Sequence, residues 1–396
     1  MPKVLRIINR FNLGGPTFNA ALLTKYMQPK YDTLLIGGKE QESEESSKHI
    51  LDDLNIEAQQ IAEMQRDLGI KNDRSAYKKI LNIIKDFKPD IIHTHASKAG
   101  AIGRSAGIAY GKAKMVHTFH GHVFHSYFGP VKTSFYKNIE RALALKTDKI
   151  VAISSRQKIE LSRKYRICSD DKIEVIPLGF DLSKFHEDRE SKRKDFRATY
   201  QLSDDEIAIG IIGRLVPIKN HKLFLQAFAN IEQRSGKKVR AFIVGDGIES
   251  QNLKSFSQDL GLTYTNGQNP PVPNAKVHFT SWIKNVDWVN AGLDIIALSS
   301  LNEGTPVSLI EAQASCKPII TTKVGGVTNV VKPNKTAMVV ENDNTNEFTD
   351  KLMRLVENES LRTEMGNSGW EYVSEQFHYN RLVRDMTALY DDLLEI

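Results

Sequence analysis

Residues 294–322 read DIIALSSLNEGTPVSLIEAQASCKPIITT and predict a strand, a loop and a helix in succession. The apolar run that opens the stretch is typical of a buried strand in a parallel sheet. After a polar turn, Thr305 favours the N-cap of a helix and Pro306 its first position. Because the free N–H groups at a helix start attract anions, phosphate is the natural ligand of this turn.

Two carboxylates flank the predicted helix start. Glu303 lies in the loop before it. Glu311 lies about 8 Å further along the helix, at about 1.5 Å per residue from Pro306. Carboxylates on either side of a phosphate site suit the hydroxyl groups of a sugar nucleotide. The alternative is an ordinary strand–loop–helix unit with solvated acids.

Apolar strand-like runs alternate with helical patterns along the whole chain, which predicts an α/β fold with two doubly wound, Rossmann-like domains. The predicted strands are Val4–Ile8, Thr33–Ile36, Ile91–Thr94, Val116–Phe119, Ile150–Ile153, Glu174–Ile176, Ile207–Ile212, Ala241–Val244, Val277–Phe279, Ile295–Leu298, Ile319–Thr321 and Met338–Val340. The domain boundary is predicted near residues 177–181, before the charged stretch 187–194. The proline-rich segment 263–274 is interpreted as a surface loop.

The composition indicates a globular protein of two domains. The chain has 396 residues, of which 40% are hydrophobic and 26% charged, as is usual for soluble proteins. The sequence contains no run of about 18 apolar residues, so no transmembrane helix is expected. The N-terminus does not resemble a signal peptide. The two cysteines, Cys168 and Cys316, fit a reducing cytoplasm, which is the expected location.

The charge is unevenly distributed. Residues 1–180 contain 29 Lys and Arg against 19 Asp and Glu, whereas the remainder contains 25 against 29. A basic first half favours an acidic partner, such as a phospholipid surface, a lipid diphosphate or nucleic acid. The alternative is a surface that only favours solubility. Nucleic acid is disfavoured, because the cations are dispersed and no aromatic-studded recognition module is apparent.

Open parallel sheets bind ligands at the carboxyl ends of their strands, so the residues after each strand are the candidates. Gly14 and Gly15 follow the first strand and let the backbone approach a phosphate or sugar, unless they form a plain tight turn. The absence of a G-x-G-x-x-G motif disfavours a dinucleotide fold. In the second half, Arg214 and Lys219 can converge on one diphosphate, or be solvated loop cations.

Residues 117–125 read HTFHGHVFH, and four histidines in nine residues raise the question of a metal. On a strand, His117 and His120 would face opposite sides of the sheet, which is poor spacing for one ion. No paired acids or Asp-x-Asp motif complete such a site, so no metal is expected. His120, just past the strand end, is instead expected to be a hydrogen-bonding group of the site.

Together these residues resemble the retaining glycosyltransferases of the GT-B fold, in particular glycosyltransferase family 4, over nearly the whole chain. The most specific parts are Gly213-Arg214 with Lys219, and the E-x7-E from Glu303 to Glu311. The looser parts are Gly14-Gly15, His120, Pro177-Leu178-Gly179 and Gly325-Gly326.

The resemblance implies two Rossmann-like domains that face each other over a cleft. Residues 1–180, with a C-terminal helix at about 376–396 that crosses back, would bind the acceptor. Residues 181–375 would bind the nucleotide sugar. In such enzymes the leaving diphosphate is thought to help deprotonate the acceptor hydroxyl, so neither a protein nucleophile nor a metal cofactor is required.

The resemblance also implies individual roles. Arg214 and Lys219 would hold the diphosphate, Glu311 the ribose hydroxyls, and Glu303 the donor sugar. His120 would hydrogen-bond the donor sugar near the reacting carbon. The remaining implied contacts to phosphate or sugar come from Gly14 and Gly15, and from Gly304, Val307 and Ser308 at the helix start.

Some positions depart from the family pattern. Leu178 stands where Asn is usual, Asn329 where Glu is frequent, and Ser281-Trp282 where a glycine precedes the base site. Trp282 either stacks on the base or is packed. These departures concern the donor more than the reaction, and a UDP-sugar is expected.

The histidine-rich stretches 92–100 and 120–125 resemble members that build bacterial surface polysaccharides on a polyprenyl diphosphate. A glycan on such a lipid is therefore the expected acceptor, with possible peripheral contact at the inner face of a membrane through the basic first domain. One alternative is a sugar-nucleotide 2-epimerase of the same fold, which the spacing of Arg214/Lys219 and Glu303/Glu311 disfavours. The other is a non-catalytic protein that binds a nucleotide sugar.

Overall fold

The protein is described by a computed structural model that covers residues 1–12, 15–40, 46–65, 69–121, 130–267, 275–342 and 344–396. The chain divides into two compact units. Unit 1 comprises Met1–Phe180 and Phe377–Ile396, and unit 2 comprises Asp181–Gln376. The acceptor and donor roles expected of the two parts of the chain stay predictions.

Each unit contains one seven-stranded sheet in which the paired strands are parallel. The strands of unit 1 are β1 (Lys3–Arg10), β2 (Asp32–Gly38), β3 (Ala58–Gln60), β4 (Ile91–His95), β5 (Lys114–Phe119), β6 (Lys149–Ala152) and β7 (Ile173–Val175). Those of unit 2 are β8 (Ile207–Ile212), β9 (Val239–Val244), β10 (Tyr264–Asn266), β11 (Val277–Ser281), β12 (Ile295–Leu298), β13 (Ile319–Thr322) and β14 (Ala337–Val340).

Helices connect the strands. In unit 1 they are α1 (Gly15–Tyr26), α2 (Lys48–Asp53), α3 (Ile70–Phe87), α4 (Ser97–Tyr110), α5 (Pro130–Leu145) and α6 (Ser155–Ile159), which continues as a π-helix over Glu160–Lys164. In unit 2 they are α7 (Ser183–His186), α8 (Arg189–Thr199), α9 (His221–Arg234), α10 (Ser250–Asp259), α11 (Val286–Gly292), α12 (Val307–Ala314), α13 (Val327–Val330), α14 (Thr345–Glu357) and α15 (Glu359–Gln376). The last helix, α16 (Tyr379–Leu394), belongs to unit 1.

The strand orders are β3-β2-β1-β4-β5-β6-β7 and β10-β11-β9-β8-β12-β13-β14, and this confirms the predicted doubly wound α/β class. In both sheets, the strands that follow the first strand in sequence are added on one side of it, and the later strands are added on its other side. The crevice at such a reversal is where open α/β sheets bind ligands. The expected binding positions are therefore the carboxyl ends of β1 and β4, and of β8 and β12.

All twelve predicted strands are present, with bounds that differ by at most two residues. Two strands were missed, β3 and β10, which are three residues each and lie at sheet edges. The interpretation of 263–274 as a loop was wrong for Tyr264–Asn266, because these residues pair with Val277–Phe279 as edge strand β10. Residues 268–274 lie outside the described residues.

The core of each unit lies on both faces of its sheet. In unit 1 the strand residues Val4, Ile91 and Val116 pack against Leu382 and Tyr390 of α16. A second cluster packs the opposite-facing strand residues against α3 and α4. The strands are buried on both faces, as parallel sheets require. Every helix among the described residues is too short or too polar to span a bilayer.

Candidate active site

The predicted donor residues follow β8 and β12, which are neighbouring strands in the sheet of unit 2. Hydrogen bonds fasten the two loops together. The backbone N–H of Leu301 donates to the carbonyl of Ile218 over 2.8 Å. The Ser299 hydroxyl donates to the carbonyls of Lys219 and Asn220 over 3.1 and 2.9 Å. The structure therefore brings together residues that are about 80 positions apart in the sequence.

An ion pair forms where these loops meet. Lys219 Nζ lies 2.6 Å from Glu303 Oε1, and the Ser300 hydroxyl donates to the same oxygen over 2.5 Å. All three side chains are at least partly buried, so solvent screens the pair less than it would at the surface. The Glu303 carboxylate is thus held in one position, and an incoming anion must share Lys219 with it.

Arg214 lies at the end of β8 on the same side of the sheet. Its side chain is exposed, and within the described ranges its guanidinium takes part in no hydrogen bond or ion pair. The turn below it is packed backbone to backbone, because a Cβ at Gly245 would lie 2.0 Å from the Gly213 carbonyl oxygen. Arg214 is therefore a cation on a rigid turn with all its donors available.

The helix after Glu303 begins later than predicted. Pro306 has extended backbone angles and is itself the N-cap, and α12 starts at Val307. Thr305 was predicted to cap the helix, but the N-cap is Pro306 and makes no side-chain capping hydrogen bond. The N–H groups of Val307 and Ser308 donate to no acceptor in the described residues, so they form an uncapped helix start that suits an anion.

The double glycine Gly325-Gly326 supports the Glu303 loop from below. The N–H of Gly326 donates to the Glu303 carbonyl over 3.0 Å. A Cβ at Gly325, where φ is +51°, would lie 1.9 Å from that carbonyl oxygen, and one at Gly326 would lie 1.8 Å from the Gly304 oxygen. Only glycine fits this approach of two backbones. The family resemblance includes these two glycines, but the sequence does not indicate that they contact the Glu303 loop.

Glu311 projects from the second turn of α12. Burial raises the pKa of its carboxyl to about 7, Asp287 adds to the increase, and Lys184 opposes it. Its carboxylate accepts no hydrogen bond from the residues that the structure describes. A carboxyl group with this pKa loses its proton readily when hydroxyl donors arrive, as the predicted contact with ribose requires.

Trp282 directly follows β11, and 51% of its side chain is exposed. Ser281 before it has φ of +60°, in a turn where its hydroxyl donates to Asp246 Oδ2 over 3.2 Å. This partial exposure agrees with either interpretation of Trp282, stacking on a base or packing, and both stay predictions. Half of the indole surface is open to stack on a planar ligand.

Unit 1 carries a histidine cluster at the ends of β4 and β5. His120 Nε2 and His95 Nδ1 are hydrogen-bonded at 2.9 Å. His93 is bonded to the Tyr390 hydroxyl at 2.6 Å and to the Thr118 hydroxyl at 2.7 Å. His95 was not among the predicted site residues, although its place at the end of a strand is a signal that could have indicated it.

His117 of β5, beside this cluster, faces the other way. His117 Nδ1 is bonded to the Thr94 hydroxyl at 2.8 Å, and a Cβ at Gly100 of α4 would lie 2.5 Å from the His117 ring. His117 and His120 therefore have separate partners. In the described ranges no three His, Cys, Asp or Glu side chains could share a metal ion, and metal independence stays a prediction.

The cluster is electrically neutral. Burial lowers the pKa of His120 to about 3 and lowers the pKa values of His93 and His95 well below the ordinary range, with the buried Arg6 contributing. The buried atoms His120 Nδ1 and His95 Nε2 have no hydrogen-bond partner among the residues that the structure describes. Ala96, next to His95, has φ of +66°, a strained backbone of the kind that functional sites retain. His120 can thus offer a neutral hydrogen bond, not a charge.

Other predicted residues have a limited description. Gly14, His122 and His125 lie outside the described residues. Gly15 is the first residue of α1, where a Cβ would lie 3.6 Å from Leu178. Gly304 is exposed beside Glu303. A cavity of about 810 Å³ in unit 2 lies at the amino ends of the strands, beside residues such as Ile207 and Asp294, and contains none of the predicted residues.

Comparisons with known proteins agree with this fold. Residues 192–371 match the family model of group 1 glycosyl transferases, and residues 32–184 match that of glycosyltransferase family 4. These matches and the two doubly wound sheets define a glycosyltransferase of the GT-B fold. The chain belongs to glycosyltransferase family 4. The predicted family, fold and enzyme class are thereby confirmed.

Two relatives match over most of their length. One relative is UDP-Gal:alpha-D-GlcNAc-diphosphoundecaprenol alpha-1,3-galactosyltransferase of Escherichia coli, to which the chain is 27% identical over 347 residues. The aligned residues cover 87% of this chain and 86% of that protein. The chain is 26% identical over 337 residues to the capsular polysaccharide biosynthesis glycosyltransferase CapM of Staphylococcus aureus, with 84% of each chain covered.

Solved structures share the fold. A glycosyltransferase from Rickettsia africae superposes with a TM-score of 0.80 at 21% identity, over 99% of this chain and 98% of that one. HepE from Anabaena, solved in complex with UDP, has a TM-score of 0.80 at 18% identity, over 98% of this chain and 100% of that one.

Proposed function

We propose that this enzyme is a retaining, metal-independent glycosyltransferase that moves a sugar from a UDP-sugar to a hydroxyl of a polyprenyl-diphosphate-linked glycan. The observation that carries the proposal is the set of uncommitted donors at the carboxyl ends of β8 and β12. It consists of the Arg214 guanidinium and the N–H groups of Val307 and Ser308, beside the Lys219–Glu303 pair.

This set supports binding of a diphosphate without a metal. Arg214 offers a planar fork of donors, Lys219 offers a point charge, and the helix start adds backbone dipoles. In the step that follows, these groups stabilise the negative charge that develops on the leaving diphosphate.

The surroundings of Glu303 support retention without a protein nucleophile. Lys219 and Ser300 already bond its carboxylate, so it is positioned to accept hydrogen bonds from sugar hydroxyls. The acceptor oxygen then bonds to the anomeric carbon on the face from which the bond to UDP oxygen breaks. The acceptor proton passes to the departing diphosphate oxygen, and the products are the glycoside and UDP.

The donor assignment has two supports. In this chain, Trp282 exposes half of its indole for a base and Glu311 offers a carboxylate for ribose. Among related proteins, the E. coli relative is named for UDP-Gal, and HepE has been solved with UDP and with UDP and glucose. A uridine nucleotide is the common element.

The acceptor assignment follows from the relatives. The E. coli protein is named for a GlcNAc-diphosphoundecaprenol acceptor and the S. aureus protein for capsular polysaccharide biosynthesis. Both names, with the basic first half of this chain, favour a lipid-linked glycan in surface polysaccharide synthesis.

Calorimetric binding of UDP, GDP and ADP tests the donor site. We expect selective UDP binding that is lost in Glu311→Ala and kept in Glu364→Ala, a matched variant of an exposed glutamate in α15. Preference for GDP or ADP would reject the uridine assignment. Failure to bind any of the three would reject the donor site itself.

Transfer is tested next, with UDP-sugars and a short-chain polyprenyl diphosphate glycan, with and without EDTA. We expect a product whose anomeric configuration, read by NMR, matches that of the donor, at an unchanged rate in EDTA. Inversion would reject the retaining mechanism, and loss of rate in EDTA would reject metal independence.

A further inference from the structure

Three histidine rings are in contact at the ends of β4 and β5. The ring centroids of His93 and His95 lie 4.2 Å apart, and those of His95 and His120 lie 5.2 Å apart. His93 and His95 are fully buried, whereas His120 is partly exposed. The family resemblance implies a contact with the sugar for His120 alone. The two deeper rings have no role assigned to them.

His93 is fixed by hydrogen bonds to both of its ring nitrogens. The buried Arg6 guanidinium is bonded to the Tyr390 hydroxyl, and the oxygen accepts because an arginine can only donate. The Tyr390 hydrogen is then available to His93 Nδ1, which lies 2.6 Å from the hydroxyl. A neutral His93 therefore carries its proton on Nε2 and donates it to the Thr118 hydroxyl over 2.7 Å.

His95 is held between this fixed ring and His120. It is the last residue of β4, in register with Thr118 of β5, and the N–H of the next residue, Ala96, donates to the Thr118 carbonyl over 3.3 Å. Its ring stacks on His93 and is bonded through Nδ1 to His120 Nε2 at 2.9 Å. His95 thus connects the rigid sheet to the more exposed His120.

Burial decides which ring donates in this bond. It lowers the pKa of His120 to about 3 and that of His95 well below its ordinary value, so each ring carries a single proton. If His120 donated, the fully buried His95 would keep its proton on Nε2, an atom with no acceptor among the described residues. If His95 donates, the same atom is only an unused lone pair. Orphaned N–H groups are the rarer of the two in protein interiors.

We propose that His95 is a positioning residue, which donates from Nδ1 to His120 Nε2 and thereby fixes the tautomer in which His120 Nδ1–H is available to an oxygen of the bound sugar. This deepens the proposed function and rests on it, because the contact between His120 and a sugar belongs to that function. His120 then acts as a neutral donor, and its partner on the sugar must be a hydrogen-bond acceptor.

Two variants of the same shape separate the hydrogen bond from packing. Asn and Leu both branch at Cγ, and Asn Nδ2 is as many bonds from the backbone as His Nδ1. His95→Asn can therefore donate to His120 Nε2, whereas His95→Leu fills the same space and cannot.

The full-length enzyme should tell these variants apart in the transfer assay. We expect His95→Asn to transfer sugar at close to the parent rate. His95→Leu should lose about 10–100-fold in kcat, since a small misplacement of a positioned group costs about that much. Its KM should change little, because a contact near the reacting carbon contributes most in the transition state.

Nitrogen NMR of the enzyme without substrate reads the tautomer directly. Histidine is isotope-labelled, and the His120 signals are assigned by their loss in His120→Asn. We expect His120 to be protonated on Nδ1 in the parent and in His95→Asn, and on both nitrogens in part in His95→Leu. The parent spectrum tests the proposal even where a His95 variant does not fold.

His117→Asn is the matched control. His117 is as buried as His95 and lies on β5, but it faces the other way and is bonded to Thr94. Its replacement should leave the His120 tautomer and the kcat of folded enzyme unchanged. Circular dichroism and thermal melting establish the folded fraction of each variant.

Three results would overturn the proposal. They are equal losses of kcat in His95→Asn and His95→Leu, a His95→Leu enzyme as active as the parent, or a parent enzyme with His120 protonated on Nε2. Failure of the proposed function is distinguishable. A parent enzyme that shows the expected tautomer but transfers no sugar would reject the function and keep His95 as the residue that fixes His120.

Discussion

Arg214 and Lys219 carry the same charge but differ in their bonding partners. Lys219 is bonded to Glu303 at 2.6 Å, whereas the exposed Arg214 side chain has no bonded partner among the described residues. Removing one member of a partly buried pair leaves the other without compensation. Replacing Arg214 breaks no side-chain hydrogen bond or ion pair within the described ranges. Arg214 is therefore the better residue with which to separate binding from folding.

We predict that Arg214→Ala reduces the transfer rate by about 100-fold or more, as loss of a charge-stabilising donor does. Its free energy of unfolding should stay within about 0.5 kcal/mol of the parent. Chemical denaturation and initial rates provide the two measurements. The exposed Arg354→Ala in α14 is the control and should change neither. An unchanged rate in Arg214→Ala would remove this residue from the site.

Glu311 predicts a dependence of stability on pH. Its folded-state pKa of about 7 lies above its ordinary value of 4.5, so the folded protein binds more protons than the unfolded chain between these values. The stabilisation by the neutral carboxyl is complete below about pH 4.5 and is lost as the pH rises through about 7. Above that pH the buried charge opposes folding.

We predict that Glu311→Gln, which is neutral at every pH, is more stable than the parent above pH 7, by about 1–2 kcal/mol for a partly exposed group. The two proteins should converge at acidic pH. Thermal melting over a pH series is the measurement, with the exposed Glu364→Gln as control. A constant difference at all pH values would contradict the raised pKa.

At the scale of elements, the local part of the site was predictable and the assembled part was not. The strand before Glu303 and the helix that carries Glu311 follow from contiguous residues. The helix start was placed one residue too early because Pro306 adopts extended angles and acts as the cap. The bonds from Lys219 to Glu303 and from His95 to His120 join separate strands, and no local pattern specifies them. Edge strands β3 and β10 are three residues each and, unlike the equally short β7, contain no aliphatic β-branched residue that marks a strand.

The turn before α13 gives a prediction at this scale. Because a Cβ at Gly326 would lie 1.8 Å from the Gly304 oxygen, Gly326→Ala must displace the loop that carries Glu303. We expect a loss of about 1–3 kcal/mol in stability and a fall in transfer rate that exceeds the effect of unfolding. Denaturation curves and rates on folded protein measure both.

Gly236→Ala is the control for this substitution, since no atom lies within 4 Å of a Cβ placed there. It should leave rate and stability unchanged. A fully active Gly326→Ala enzyme would show that the Glu303 loop does not depend on its glycine support.

At the scale of the whole molecule, the two units differ in how the chain builds them. Unit 2 is continuous from Asp181 to Gln376, but unit 1 is made of two separate segments. The segments meet where the Phe180 N–H donates to the Phe377 carbonyl over 2.8 Å and the Tyr379 N–H donates to the Phe180 carbonyl over 3.1 Å. Fully buried residues of α16, among them Leu382 and Tyr390, complete the core of the first sheet.

We predict that a fragment of residues 181–376 folds alone and binds UDP, whereas residues 1–180 alone do not fold, because the apolar strand surface under α16 is left exposed. Joining Phe180 to Phe377 by a short Gly-Ser linker should restore a folded unit 1. Circular dichroism, thermal melting and calorimetry are the measurements. Cooperative unfolding of residues 1–180 without α16 would contradict the prediction.

The return of α16 to unit 1 also sets an order of events during synthesis. Ribosomes add about 5–20 residues per second, so about 10–40 seconds separate the emergence of Phe180 from that of Phe377. Throughout that interval the nascent first sheet carries an uncovered apolar face, while unit 2 is translated and can fold. A premature stop codon that removes only the last twenty residues would thus spare every predicted donor-site residue of unit 2 and still leave a chain that chaperones and proteases recognise as unfinished.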